Sequence, residues 1–297
     1  MPPSARERSA DETQRISRAP APTRELVAGR YEIMAVIGRG GMAEVLAAHD
    51  RRLGRMVAIK RPRRDVSGDA TIGERLQREA AALASIDSRH VVAVHDVGIS
   101  ADEVYLVMQR LLGHTLDQEI ANLGPIAPAR VCRIARDILA GLSAVHASGL
   151  VHRDLKPSNV LLDRSDRAVL LDLGAALHPR KRPLTAPGSV LGTPGCMAPE
   201  QLALAPLDGR VDLYQLGLIL IFLLTGDTPP AGVDPAAIAA PPALRDVIAR
   251  ALAPAEARFA SARDMRRALD QAVAACTLEP TETSGAPTAA RQTLRWP

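Results

Sequence analysis

The sequence predicts an α+β chain of two lobes: a small antiparallel β-sheet lobe carrying one helix, then a larger, mainly helical lobe. Three observations predict it. Between Tyr31 and Arg110, five short β-prone runs (Tyr31–Ile37, Glu44–Ala48, Met56–Lys60, Val91–Val97, Val104–Met108) are interrupted by one helical segment, Ile72–Ser85. After Gly113 the apolar residues recur at helical spacing. Finally, 297 residues at 47% hydrophobic can build one large domain or two lobes, yet only 2% are aromatic. Leu, Val, Ile and Ala must therefore fill the core, which suits a helical body.

Taken in order, residues 1–28 are rich in Pro, Ser, Ala, Arg and Glu with little apolar periodicity, and read as a disordered leader. Residues 29–110 form the sheet lobe and 111–274 the helical lobe. In Pro128–Gly149, Val131, Ile134, Ala135, Ile138, Leu142 and Val145 repeat on one helical face, with Pro128 near the start and Gly149 as the stop. Val211–Thr225 is a strongly apolar helix ended by Gly226. Leu244–Leu252 and Ala262–Ala274 read as closing helices. Residues 275–297, rich in Thr, Pro and Ala, read as a flexible tail.

The net charge of +4 is mild and Arg is spread along the chain. No basic stripe with interleaved aromatics appears, so nucleic acid is not an expected partner. Cys132, Cys196 and Cys276 show neither zinc spacing nor a disulfide framework, which fits a reducing cytoplasm. The N-terminus has no apolar signal core. The longest apolar run, Leu216–Leu224, is about half of a bilayer span. A soluble, cytoplasmic chain without a membrane partner is expected.

The chemistry concentrates in a few short motifs. Residues 152–159 read His-Arg-Asp-Leu-Lys-Pro-Ser-Asn. Asp154 can accept a hydroxyl proton, Lys156 can steady a transferring phosphate, and Asn159 can hold magnesium. Gly38-Arg39-Gly40-Gly41-Met42-Ala43-Glu44-Val45 joins two strands, and its glycines let the backbone bend close over phosphates. Val57-Ala58-Ile59-Lys60 follows about twenty residues later. Asp172-Leu173-Gly174 and Met197-Ala198-Pro199-Glu200 come further on. In this order and spacing the motifs resemble those of the protein kinases, specifically the eukaryotic-like (Hanks-type) serine/threonine kinases of bacteria, from about Tyr31 to about Leu269.

The resemblance implies a two-lobed kinase fold with ATP and magnesium in the cleft, transferring the γ-phosphoryl group to Ser or Thr of protein substrates. It implies that Asp154 is the base and that Lys156 supports the phosphate. Lys60 would bind the α and β phosphates, held by Glu79, with Glu74 as the rival partner. Gly38, Gly40 and Gly41 would cover the phosphates. Met108 would back the adenine pocket, the backbones of Gln109 and Leu111 would meet the adenine edge, and Val45, Ala58 and Leu161 would cover its faces. Asn159 and Asp172 would hold magnesium through oxygen, the ligand type that ion prefers. Glu200 would pair with Arg258, Asp212 would brace the catalytic-loop backbone, and Thr193 would contact Asp154 and Lys156. Thr185, with Ser189 as runner-up, would be autophosphorylated during transient self-association and would pair with Arg153.

Some positions depart from the family pattern. Ala43 stands for the third glycine, Gln109 for Glu, Leu173 for Phe and Cys196 for Tyr. Residues 227–243 are too few for the helix that relatives carry there, which is expected to be shortened or lost. Two other readings compete: a pseudokinase that binds nucleotide without transfer, and a small-molecule phosphotransferase of the same fold. The first usually lacks one of the residues matched by Lys60, Asp154 and Asp172. The second is disfavoured by Gly192-Thr193 and the intact Met197–Glu200 motif.

Overall fold

Branched and small side chains alternating through residues 31–62 pack into a sheet. The computed structural model describes residues 25–40, 43–63, 74, 77, 80–81, 83–100, 103–172, 197–230 and 232–276. Strands β1 (Leu26–Val27), β2 (Tyr31–Arg39), β3 (Ala43–Asp50), β4 (Arg55–Pro62), β5 (Val94–Ser100) and β6 (Glu103–Gln109) form one antiparallel sheet in the order β1-β2-β3-β4-β6-β5. Strand β3 meets β4 without a register shift from Ala43↔Pro62 to Asp50↔Arg55, and Gly54, at φ +63°, sits in the turn between them. One face encloses a small core of Val27, Tyr31, Leu46, Ala48, Val57, Ile59, Tyr105 and Val107.

Two boundaries differ from the sequence reading. Leu26–Val27, expected in the leader, pairs with Glu32–Tyr31, and Val27 is buried against Tyr31. The leader's last apolar pair thus joins the sheet, helped by a left-handed turn at Ala28 and Gly29. The strand expected at Val91–Val97 runs instead from Val94 to Ser100. Val91 bridges to Leu170, and the Val92 amide donates to the Leu170 carbonyl at 3.0 Å. Tertiary pairing with the second lobe captures those two valines. Of the predicted helix Ile72–Ser85, the described residues Glu74, Gln77, Ala80, Ala81, Leu83 and Ala84 are helical, with Ala80 and Leu83 in the main core.

The second lobe opens with β7 (Gly113–Thr115) and α1 (Leu116–Leu123), followed by α2 (Pro128–Ala147). Strands β8 (Val160–Asp163) and β9 (Ala168–Leu170) pair with β7 in a three-stranded sheet, order β7-β8-β9. Such short strands carry too few residues to show a period. Then come α3 (Pro199–Leu202), α4 (Arg210–Thr225), α5 (Pro242–Leu252) and α6 (Ala262–Cys276). Helix α4 buries residues on all sides, from Val211 to Leu223, and so forms the centre of the lobe. Gly226, at φ +80°, ends it in the left-handed cap that glycine adopts without strain. Between α4 and α5 the described residues hold a single 3₁₀ turn, Pro235–Ala237, in place of the family's helix. Among the described residues no helix is long and apolar enough to cross a membrane.

The main core joins α2, α4, α5 and α6 and continues upward through Val91, Val92 and Leu106 to the base of the first sheet. One apolar cluster therefore joins the helical lobe to the first sheet.

Candidate active site

The chain leaves α2 through Gly149, at φ +73°, and enters the loop 150–156. Asp212, in the first turn of α4 and fully buried, organises this loop. Its Oδ2 accepts the His152 amide at 2.9 Å and meets His146 Nε2 at 2.7 Å, while Oδ1 accepts the Arg153 amide at 2.8 Å. Burial pushes this carboxyl's pKa up, but the hydrogen bond and charge of His146, with His152 and the Arg153 amide, hold it below the ordinary value. The bracing role expected of Asp212 corresponds to these three contacts.

Arg153 has φ +68°. Left-handed backbone costs a residue with a β-carbon about 1–2 kcal/mol, and it persists where surrounding bonds over-determine it. Here the amide is held by Asp212 and the carbonyl accepts from Gln201 Nε2 at 2.8 Å and Gln215 Nε2 at 3.0 Å. The turn aims Asp154 into the cleft. Lys156 Nζ lies 3.0 Å from Asp154 Oδ2. Asn159 Nδ2 donates to the Asp154 carbonyl at 2.7 Å and to its Oδ2 at 3.3 Å. The 3₁₀ turn Pro157–Asn159 presents Asn159 at this point.

The next segment is strapped to the same loop. The Leu171 amide donates to the Asn159 carbonyl at 2.8 Å, and the Leu171 carbonyl meets His152 Nε2 at 3.2 Å. This carries Asp172, at φ +51°, to the cleft, where its Oδ1 lies 2.8 Å from Lys60 Nζ. Lys60 comes from β4, opposite Val45 on β3 and Leu106 on β6, with its body buried. The fold thus brings together Asp154, Lys156, Asn159, Asp172 and Lys60. Glu79 and Gly41 lie outside the described residues, as do Leu173, Gly174, Thr185, Ser189, Thr193 and Cys196. The rival Glu74 is exposed.

The glycine-rich turn lies between β2 and β3, with Gly38 opposite Val45 and the Gly40 amide donating to the Ala43 carbonyl at 2.8 Å. A β-carbon at Gly38 would meet Val45 at 3.6 Å, and one at Gly40 would meet the Ala43 carbonyl at 3.5 Å, both ordinary contacts. Neither glycine has a positive φ. The protein's own packing does not demand glycine at these two positions. Their bareness suits a ligand lying against the backbone.

Behind the turn, Ala58 faces Met108 across the sheet, and Val57 faces Gln109. Met108 and Leu111 pack on the main core, and Leu161 stands on β8 opposite Thr115. The Gln109 amide donates to the Ala93 carbonyl at 2.8 Å. A contact of Gln109 with an adenine edge therefore falls to its carbonyl oxygen, a distinction that the sequence did not make.

Glu200 and Arg258 pair as expected, with Arg258 Nη2 donating to Glu200 Oε2 at 2.9 Å and Nη1 to Oε1. Arg258 Nε also donates to the Ala253 carbonyl at 2.6 Å, and its guanidinium lies over the Tyr214 ring at 4.7 Å. Three contributors were not singled out in the sequence. Gln201 and Gln215 hold the loop carbonyl, and Arg61 is a third. Arg61 follows Lys60 and pairs with Glu44 at 2.9 Å and with Glu25, tying β4 to the glycine-rich turn. A buried polar residue inside an apolar helix was the available signal for Gln215.

The protein kinase domain family matches residues 31–273. The serine/threonine-protein kinase PknD of Mycobacterium tuberculosis is 36% identical over 267 residues, covering 82% of this chain and 40% of that protein. The serine/threonine-protein kinase PrkC of Bacillus subtilis is 37% identical over 213 residues, covering 72% of this chain and 33% of that protein. The chain thus spans less than half the length of these relatives. The crystal structure of the M. tuberculosis PknI kinase domain superposes with a TM-score of 0.68 at 28% identity, over 84% of this chain and 98% of that one. The chain belongs to the protein kinase domain family and resembles the serine/threonine-protein kinases of bacteria.

Proposed function

We propose that this chain is a serine/threonine protein kinase that transfers the γ-phosphoryl group of ATP, with magnesium, to hydroxyls of protein substrates. The observation that carries the reading is the convergence of Asp154, Lys156, Asn159, Asp172 and Lys60 from β4, the 150–159 loop and the segment after β9. Three of these residues are those whose loss usually marks a kinase without activity.

The residues fit the cofactors by donor chemistry. Asn159 commits its amide nitrogen to Asp154, which leaves its oxygen as the ligand atom for a hard cation. Asp172 supplies the second oxygen. Gly38 and Gly40 put no side chain between the backbone and a bound phosphate, and Lys60 supplies the positive charge from the neighbouring strand. The adenine would lie between Val45 and Ala58 above and Leu161 below, backed by Met108, with the Gln109 carbonyl and the Leu111 backbone at its edge. When bound, ATP and magnesium supply the phosphoryl group and neutralise its charge.

The chain's part is mainly positioning and electrostatics. Asp154 would accept the proton of the substrate hydroxyl as that oxygen bonds the γ-phosphorus and the bond to the departing ADP breaks. Lys156, beside that carboxylate, stabilises the negative charge on the transferring oxygens. A cytoplasmic location, where ATP is at hand, is part of this reading. Autophosphorylation at Thr185, through transient self-association, is part of this reading.

The test is transfer of label from γ-labelled ATP with magnesium to general protein substrates, followed by phosphoamino-acid analysis. Label on Ser and Thr, lost by orders of magnitude in Asp154→Asn with ATP binding retained, supports it. Binding without transfer would establish a pseudokinase. Transfer only to small molecules would establish the other phosphotransferase class.

A further inference from the structure

We propose that Gln215 and Gln201 form a hydrogen-bonded relay that positions Asp154 and couples its placement to the seating of residues 197–202. The inference rests on the kinase reading for its effect on rate, and on geometry for the relay itself.

Gln215 lies on α4, three residues after Asp212, and is 2% exposed. Its Oε1 accepts the Leu155 amide at 3.0 Å, and its Nε2 donates to the Arg153 carbonyl at 3.0 Å. One side chain thus grips the residues on both sides of Asp154. The same Nε2 donates to Gln201 Oε1 at 3.1 Å. Gln201, on α3, donates its own Nε2 to the Arg153 carbonyl at 2.8 Å, and its Oε1 accepts the Ala198 amide at 2.9 Å. Backbone partners fix both amide orientations, since Leu155 N–H and Ala198 N–H can only donate and the Arg153 carbonyl can only accept.

A buried glutamine could simply satisfy stray backbone groups. The groups satisfied here are not arbitrary. They sit on the left-handed residue Arg153, whose amide is already held by Asp212, and on Leu155. With Asp212 on the amide and two glutamines on the carbonyl, the left-handed residue Arg153 is held from both sides. Asp154, the next residue, lies beside Lys156 and Asn159. Removing the glutamines frees the carbonyl end and lets the carboxylate drift. Gln201 also follows Glu200, which Arg258 anchors to the loop between α5 and α6. A shift of the 197–202 segment therefore reaches Asp154 through two side chains.

The test uses the full chain carrying Gln215→Met, Gln201→Met and both together. Met keeps the length and removes the amide. Phosphoryl transfer is measured as kcat and ATP KM, and hydrogen exchange is followed on peptides covering 150–160 and 197–202. For Gln215→Met, kcat should fall about 10- to 100-fold, as expected for misplacing a reacting group by about 1 Å. ATP KM should stay within about twofold, because the removed contacts act on positioning and not on nucleotide binding. Exchange should rise on both peptides and stay unchanged in α5 and α6. Gln201→Met should also raise exchange at 150–160, which it reaches through Gln215 and the Arg153 carbonyl. The double variant should be no slower than Gln215→Met alone, since residues acting as one unit are not additive.

Losses of kcat that multiply in the double variant would overturn the relay. So would 150–160 exchange that ignores Gln201→Met, or exchange rising equally across α4–α6. Should Gln215→Met fail to fold, Gln201→Met, on the shorter and more exposed α3, carries the exchange test alone. A wild-type chain that transfers no phosphate would sink the kinase reading, and the exchange pattern would still decide the relay.

Discussion

Lys60 Nζ lies 2.8 Å from Asp172 Oδ1, joining two residues 112 positions apart in sequence across the cleft between the lobes. The contact links the strand that faces the glycine-rich turn with the segment strapped to the Asp154 loop. The lysine body is buried, so a Met of similar length fills its space without the charge. Lys60→Met should lower transfer by about two orders of magnitude or more and leave the melting transition near that of the wild type. A Lys60→Met chain that unfolds at assay temperature would show that the residue supports the core instead.

The Glu200–Arg258 pair is a structural ion pair at the edge of the helical lobe. Arg258 is 4% exposed and contacts Glu200, Ala253 and the Tyr214 ring. Arg258→Met leaves the Glu200 carboxylate without that partner, which should cost about 3–5 kcal/mol in urea unfolding. Glu200→Gln should cost less, because the guanidinium keeps its carbonyl acceptor and its ring contact. Equal losses in the two variants would place the energy in the charge pair alone.

Asp50 ends β3, is fully buried, and pairs with Arg30 at 2.7 Å. The Arg30 hydrogen bond lowers its pKa most. Burial opposes this, and the Leu53 and Arg52 amides add to the lowering, for a value of about 2 against an ordinary 3.8. A depressed carboxyl pKa contributes stability that is complete above 3.8 and lost as pH falls through about 2. The stability advantage of wild type over Asp50→Asn should be constant from pH 7 to about 4 and shrink towards pH 2. Denaturant midpoints across that range measure it, and a gap independent of pH would refute the assignment.

Phosphorylation of Thr185 should activate the enzyme. Burial lowers the Arg153 pKa, and the charge of Asp212 restores it only in part. A phosphate brings about two negative charges near neutral pH and several strong acceptors, which would pair with the Arg153 guanidinium. Mass spectrometry after incubation with ATP and magnesium should find phosphate on Thr185 in wild type and none in Asp154→Asn. Thr185→Ala should be slower. A fully active chain with no phosphate between Asp172 and Glu200 would rule this out.

The sequence alone determined the two-lobe order and the helices at Pro128, Val211, Leu244 and Ala262, and it marked Asp154, Lys156, Asn159, Asp172 and Lys60 as candidate residues that the fold then brings together. Helical spacing and short ordered motifs are local, so a linear reading reaches them. Tertiary structure decided the rest. Val91 and Val92 look like strand residues but pair with Leu170, because hydrogen-bonding partners are chosen across the fold. The left-handed backbone of Arg153 follows from Asp212 and two glutamines lying 48 to 62 residues away, and Arg153 itself carries no sign of it. Gln215 reads as a polar residue at the edge of an apolar helical run until folding sets its amide against both neighbours of Asp154. Residue types specify which groups can do the chemistry. Only the packed chain brings long-range donors and acceptors close enough to hold them in one geometry.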